Sequence, residues 1–295
     1  MINRRPVLSS PSPVSNQYEK EKKMNCFIAP NHPIFQSEAY QRDVHLVEVL
    51  DTMIRPTAFL LLSDGNSFVI GRNRLDLSAW VWTGDDIGTD ALRTVCDLLH
   101  IHFAGRDIHF TAKEGAARAM AAHFAQAGYQ VKGGMGLIAY TLHQVIMPED
   151  KGPVRPARMD ELDTLTQLTE DFLMACFGNL QNTDCRAQAR RQIEAGTLRV
   201  LEHDGRIVSM VNAAPKEPGG HTRIGMVYTV PGAQGRGCAK WLTAKVCEDE
   251  LTRCPWALLY ADADNPRSNA AYRRIGFEPM GVMREMKLVR EEISS

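Results

Sequence analysis

No apolar run in this chain approaches the ~20 residues that a bilayer span needs; Ala58–Leu62 is typical of the runs it has. Residues Met1–Lys23 carry Arg4 and Arg5 with no apolar core behind them, which is not the pattern of a secretory signal. Net charge is also lacking, since 34 Lys and Arg face 35 Asp and Glu for a formal −1. That balance gives no electrostatic reason to expect nucleic acid or an anionic membrane as partner. The seven cysteines are odd in number, scattered, and without the close spacing of a metal site. Such usage reads as reduced thiols in a cytoplasmic protein. What remains is an ordinary globular composition on 295 residues, a length that suggests about two domains.

The composition shifts twice. Residues 1–23 are rich in Pro, Ser and charge and end in Glu19-Lys20-Glu21-Lys22-Lys23, too polar to bury a core, so a disordered tail is expected. Pro148-Glu149-Asp150-Lys151-Gly152-Pro153 is turn-rich and lies between two apolar strands. These breaks predict an N-terminal domain over 24–147, a linker over 148–152 and a second domain over 153–295. The halves share a pattern. Phe124, Gly128 and Tyr129 stand before a strand from Met135 to Leu142, and Tyr272, Gly276 and Phe277 stand before a strand from Met283 to Leu288. In each, an aromatic four residues before a glycine closes a small-residue helix. A repeat of this length suggests tandem domains rather than a solenoid.

The second half reads as a short strand Pro153–Arg158, a helix capped by Asp160 and running to Cys176, and a helix over Asp184–Ala195. Strands follow at Leu198–Glu202 and Arg206–Ala213 around the hairpin turn His203-Asp204-Gly205. Then come a strand Ile224–Val230, a helix Ala239–Leu251, a strand Ala257–Ala261 and a helix Ser268–Ile275. The first half fits the same plan, with strands at 58–62, 68–71, 78–82 and 108–111 and a helix over Thr89–Leu99. A mixed α/β sheet is predicted for both.

The most informative stretch is Gln234-Gly235-Arg236-Gly237-Cys238-Ala239, lying between a strand and a helix. Glycines let successive amides converge, the helix N-terminus adds partial positive charge, and Arg236 adds a full one. That layout suits a pyrophosphate. The first half has Gly84-Asp85-Asp86-Ile87-Gly88-Thr89-Asp90 in its place, where three carboxylates would repel one.

Gln234-x-x-Gly237-x-Ala239 resembles the acetyl-CoA signature of the Gcn5-related N-acetyltransferases (GNAT). Asn265-Pro266-x-Ser268-Asn269-x-x-Tyr272-x-x-x-Gly276-Phe277 resembles that family's later motif. The two stand in order on matching elements, over roughly Val154–Leu288. The resemblance implies tandem GNAT-like domains, the second complete and the first degenerate. It implies acetyl transfer from acetyl-CoA to a primary amine of a small or amino-acid-like acceptor, by direct attack in a ternary complex, with no metal. Gln234 and the amides of Gly235, Arg236, Gly237, Cys238 and Ala239 would hold the pyrophosphate. Val227, Tyr228, Thr229 and Val230 would offer backbone to the pantetheine arm, one amide polarising the thioester carbonyl. Asn265 and Ser268 would face the cofactor, and Tyr272 would protonate the departing thiolate. Phe124 stands where Tyr272 does and has no proton to give, so the first half reads as non-catalytic. A CoA-binding regulatory module without turnover and an N-acyltransferase with a longer acyl-CoA are the alternatives.

Other residues invite readings of their own. Glu202, His203, His221, Tyr228, Asp262 and Asp264 are the candidate bases, with Tyr228 best placed. His100-x-His102 with His109 suggests a metal if carried on a strand, but no third ligand type completes it. Cys238 suits the tight turn by its small size, and a lowered thiol pKa at that helix start is the other reading. Trp80-Val81-Trp82 reads as strand packing, since no basic patch accompanies it.

Overall fold

The structure is a computed structural model that describes residues 26–103, 106–216 and 220–290. The expected tail over residues 1–23 lies outside them. The chain divides into two compact units, one with the described residues up to Gly134 and from Arg284 on, the other with Met135–Met283. The sequence places the boundary at 148–152; by contacts, residues 135–147 belong with the second unit.

In the first unit a short helix α1 (Glu38–Arg42) precedes the hairpin β1 (Leu60–Ser63) and β2 (Phe68–Arg72). The Asp64 carboxylate closes its turn by accepting from the amides of Asn66 and Ser67. Strand β3 (Ala79–Thr83) pairs antiparallel with β2, then parallel with β4 (Ile108–Lys113). A parallel pair needs a crossover, which α2 (Thr89–His102) supplies. Helix α3 (Glu114–Gln126) leads into β5 (Tyr129–Leu142). Leu98, Leu99 and Phe124 of the helices pack on Phe68, Ile70, Val81 and Phe110 of the sheet. Trp82 is fully buried, its indole N–H donating to Asp43 at 2.9 Å, as strand packing requires. His100 and His102 lie on α2, not on a strand. His100 bonds the Tyr129 hydroxyl at 2.7 Å, and His102 meets Phe27 edge-on.

The second unit begins with β6 (Val154–Pro156) and helix α4 (Leu162–Phe177). That helix starts later than Asp160 suggests. Met159–Glu161 forms a 3-10 turn in which the Glu161 carboxylate accepts from the Arg158 amide at 2.8 Å. Helix α5 (Cys185–Glu194) is capped by Asp184, which accepts from the Ala187 amide. Strands β7 (Leu198–His203) and β8 (Arg206–Pro215) form the expected hairpin, with Asp204 and Gly205 both left-handed as its two-residue turn demands. Then follow β9 (Thr222–Thr229), α6 (Cys238–Glu250), β10 (Ala257–Asp262), α7 (Pro266–Arg274) and β11 (Glu278–Arg290). Within this unit the strand order is β5-β10-β9-β8-β7-β6. Successive residues serve opposite faces: Val200 and Met210 pack with Leu165 and Ala189 of α4 and α5, whereas Leu201 and Val211 pack with Leu242 and Val246 of α6. Helices thus cover both faces, and the sheet's free chemistry is left at the strand ends.

Candidate active site

The site is made by two strands that part company. Strands β9 and β10 run parallel, but the register joins them only at Thr222 with Ala257 and Arg223 with Leu258. Beyond that, among the described residues, each keeps only its outer neighbour: β9 stays on β8 as far as Thr229, and β10 stays on β5 as far as Asp262. A cavity of about 1320 Å³ occupies the gap, lined by Ile224–Thr229 on one wall and Leu259–Asp262 on the other. Inner backbone groups of both strands therefore face the cavity instead of each other. Such a crevice at the carboxyl ends of parallel strands is where open α/β sheets place ligands.

A bulge sharpens the parting. The register between β8 and β9 slips between Met210 and Asn212, and opposite it Met226 takes a left-handed φ of 51°. That conformation is costly for a side chain of this size. The side-chain amides of Gln188 and Gln192 on α5 both donate to the Met226 sulfur.

The glycine loop closes one end of the cavity. Gly235 and Gly237 have φ of 76° and 86°, and Gly237 is the N-cap of α6 with no side chain bonded over the helix start. The first-turn amides at Cys238, Ala239 and Lys240 have no partner within the helix, and all three residues line the cavity. Arg236 is exposed at the same mouth. The Gln234 side chain braces the turn, donating to the Thr229 carbonyl at 3.0 Å. Cys238 is buried against the core under the helix, in keeping with the small-residue reading.

The opposite wall comes from α7 and its caps. Asn265 lines the cavity, and its side chain caps α7 by accepting from the Ser268 amide at 3.1 Å. Asn269, buried, ties the helix to β10: its amide donates to the Asp262 and Asn265 carbonyls, and its oxygen accepts from the Tyr140 hydroxyl. Tyr272 lies between Tyr140 and Phe277, with ring centroids 6.3 and 5.9 Å away, and reaches the cavity. Burial, then the nearby thiols of Cys176 and Cys247, push its phenol pKa well up. It therefore keeps its proton at neutral pH.

Of the residues read from sequence as site residues, the cavity gathers Val227, Tyr228, Thr229, the whole Gln234–Ala239 loop, Asn265, Ser268 and Tyr272. Val230 is not among its walls, and its amide donates to the Val208 carbonyl. The candidate bases separate in the same way. Glu202 is held by Arg155, His203 bonds the Lys151 carbonyl, His221 stacks on Trp256 and Asp264 donates its amide to Asp262. Only Tyr228 and Asp262 of the six line the cavity. Burial and Asp171 raise the Tyr228 phenol, which makes it a poor base near neutral pH. Residues that the sequence did not offer also line it: Phe172, Ala175, Cys176 and Phe177 at the end of α4, and Glu149 and Lys151 from the segment read as a linker. Among the described residues, no three His, Cys, Asp or Glu gather as a metal site, and no helix is long and apolar enough to cross a membrane.

The matching region of the first unit is built differently. Asp85 pairs with Lys113 at 2.6 Å and Asp90 with Arg93 at 3.6 Å, so the loop repels anions less than its bare sequence implies. The cavity beside α2 and α3 is about 190 Å³.

Residues 165–277 match the acetyltransferase (GNAT) family. That match lies on the mixed α/β second unit, and it supports membership of the GNAT superfamily, whose chemistry is acyl transfer. A curated relative, the mycothiol acetyltransferase of Arthrobacter sp. (strain FB24), is 36% identical over 110 residues, covering 34% of this chain. The match spans about a third of that relative's length (33%). Among solved structures, a GCN5-related N-acetyltransferase from Sphaerobacter thermophilus aligns over 92% of this chain and 96% of its own, with a TM-score of 0.59 and 17% identity. A tandem GNAT protein from the clavulanic acid biosynthesis pathway aligns over 92% and 99%, with a TM-score of 0.52 and 12% identity. At these identities the likeness is one of fold, and it includes the tandem arrangement.

Proposed function

We propose that this protein is an acetyl-CoA-dependent N-acetyltransferase that modifies a primary amine of a small or amino-acid-like acceptor. The observation that carries the reading is one cavity that brings together an open helix N-terminus, the inner edges of two splayed strands and a protonated phenol. In this reading the loop amides from Gly235 to Ala239 and the Arg236 guanidinium bind the pyrophosphate. The pantetheine arm lies along β9, where the inner amides lack a strand partner. The neutral amine attacks the thioester carbon directly. An amide of the bulged segment stabilises the oxyanion, and the departing thiolate takes the Tyr272 proton. Asp262, the carboxylate of the former base candidates that lines the cavity, receives the ammonium proton directly or through water. The mycothiol acetyltransferase relative is in keeping with an acetyl donor.

Thiol release from acetyl-CoA in the presence of an amine panel tests this. Turnover with at least one amine is the expected result, and Arg236→Glu should weaken donor binding by about 10-fold or more, since a carboxylate replaces a charge-assisted partner. Tight CoA binding with no thiol release for any amine would favour a CoA-binding module instead. Faster release from a longer acyl-CoA would shift the donor.

A further inference from the structure

The segment Glu149–Gly152 is pinned across the start of α6 by its main chain. The Gly152 carbonyl accepts from the Trp241 indole on α6 at 2.8 Å, and the Lys151 carbonyl from His203 on β7 at 2.5 Å. The Gly152 amide donates to the Asp150 carboxylate at 2.6 Å, around a φ of 112°. With its backbone fixed at two adjacent residues, Lys151 sends its side chain to the glycine loop. Its Cε lies 3.4 Å from where a Cβ on Gly237 would stand. The ammonium pairs with the Glu149 carboxylate at 2.6 Å, and both residues line the cavity. Glu149 is 82% exposed at its side chain and Lys151 only 27%. The cation is thus held in place while its counter-ion stands in solvent.

We propose that Lys151 is a phosphate-binding residue of the donor site and that Glu149 is an internal counter-ion which the phosphate displaces. The inference rests on the reading of the cavity as an acyl-CoA site. Four features favour it. The lysine comes from outside the glycine loop, so it adds a charge at a point the loop's own backbone leaves free. An exposed carboxylate holds a lysine weakly, whereas a phosphate brings more charge to a place where helix amides already converge. A lysine serves as a point charge and needs no bidentate geometry. The main chain rather than the side chain holds the segment, so removing the ammonium leaves the tethers intact.

The test is calorimetric titration of the full chain with CoA and with dephospho-CoA, which lacks the 3′-phosphate. Lys151→Ala should weaken CoA binding about 10-fold, the scale of one charged hydrogen bond, and flatten the salt dependence of affinity. Glu149→Gln should act in the opposite sense and tighten binding about 2- to 5-fold, the scale of an exposed ion pair. In the Lys151→Ala background, Glu149→Gln should have less effect. A Lys151→Ala loss that is equal for both ligands places the lysine on the pyrophosphate, and a loss seen only with CoA places it on the 3′-phosphate. Wild-type affinity in Lys151→Ala, or weaker binding in Glu149→Gln, overturns the proposal. Should Lys151→Ala fail to fold, Lys151→Met and the Glu149→Gln result decide it. If the wild-type chain binds neither ligand, it is the acyl-CoA reading that fails.

Discussion

Tyr272 and Phe124 hold the same place in the two halves, four residues before a left-handed glycine, and differ by one hydroxyl. That oxygen matters because of where it stands. Phe124 is 2% exposed in the first unit's core, whereas Tyr272 borders the cavity. Burial among Tyr140, Phe277 and two thiols disfavours the phenolate, so the group stays a proton donor through neutral pH and beyond. Tyr272→Phe should leave donor affinity close to wild type while turnover falls by about 10² or more if proton transfer limits the rate. The raised pKa fixes the sign of the pH effect. A general acid is lost as pH rises through its pKa, so any alkaline limb due to Tyr272 should lie above the ~10 of an ordinary tyrosine. Steady-state rates across alkaline pH would show it, and unchanged turnover in Tyr272→Phe would remove the residue from the mechanism.

At the scale of elements, the two helix ends that carry these aromatics are alike in conformation and unlike in surroundings. Gly128 has a φ of 83° with open space where a Cβ would go. Gly276 has a φ of 100°, and a Cβ there would meet the Gln144 carbonyl oxygen at 2.7 Å. The chain after β5 runs past this turn, with the Ile146 amide donating to the Ile275 carbonyl. Gly128→Ala should therefore cost only the left-handed backbone term, about 1–2 kcal/mol. Gly276→Ala carries that term and a backbone clash, and should lower the melting temperature by several degrees more, at about 2–4 °C per kcal/mol for a unit of this size. Equal melting temperatures would mean that the turn yields at little cost. Both turns were legible in the sequence because glycine and its flanking aromatics are local signals. So was the I′ hairpin at Asp204-Gly205. The parting of β9 from β10 was not, because a left-handed methionine at position 226 leaves no trace in composition or spacing. The helix expected over Thr89–Leu99 runs on to His102, so His100 and His102 stand on a helix although their alternation over three residues taken alone also fits a strand.

At the scale of the molecule, the sequence predicts two halves of one fold class with a break at 148–152, whereas the division by contacts falls at Met135. A polar, proline-flanked stretch such as 148–153 reads as a linker when only composition is in view. The indole of Trp241 and the imidazole of His203, both distant in sequence, make it part of the second unit. Residues 135–147 go with it, and their loss would be severe. Leu137–Leu142 of β5 pair residue for residue with Asp262–Ala257 of β10, one wall of the cavity. Tyr140 also satisfies the buried Asn269 that anchors α7. A fragment of residues 150–295 would expose the open edge of β10, an unpaired strand that invites aggregation, and would leave Asn269 without its hydroxyl partner. We expect that fragment to be poorly soluble and to bind no CoA in calorimetry. The full chain, by contrast, should bind one CoA per chain, because about 190 Å³ beside α2 and α3 is below the ~300 Å³ at which ligand pockets begin. A soluble 150–295 fragment with full affinity would show that β5 is dispensable to the site, and two CoA per chain would show that the first unit also binds a donor.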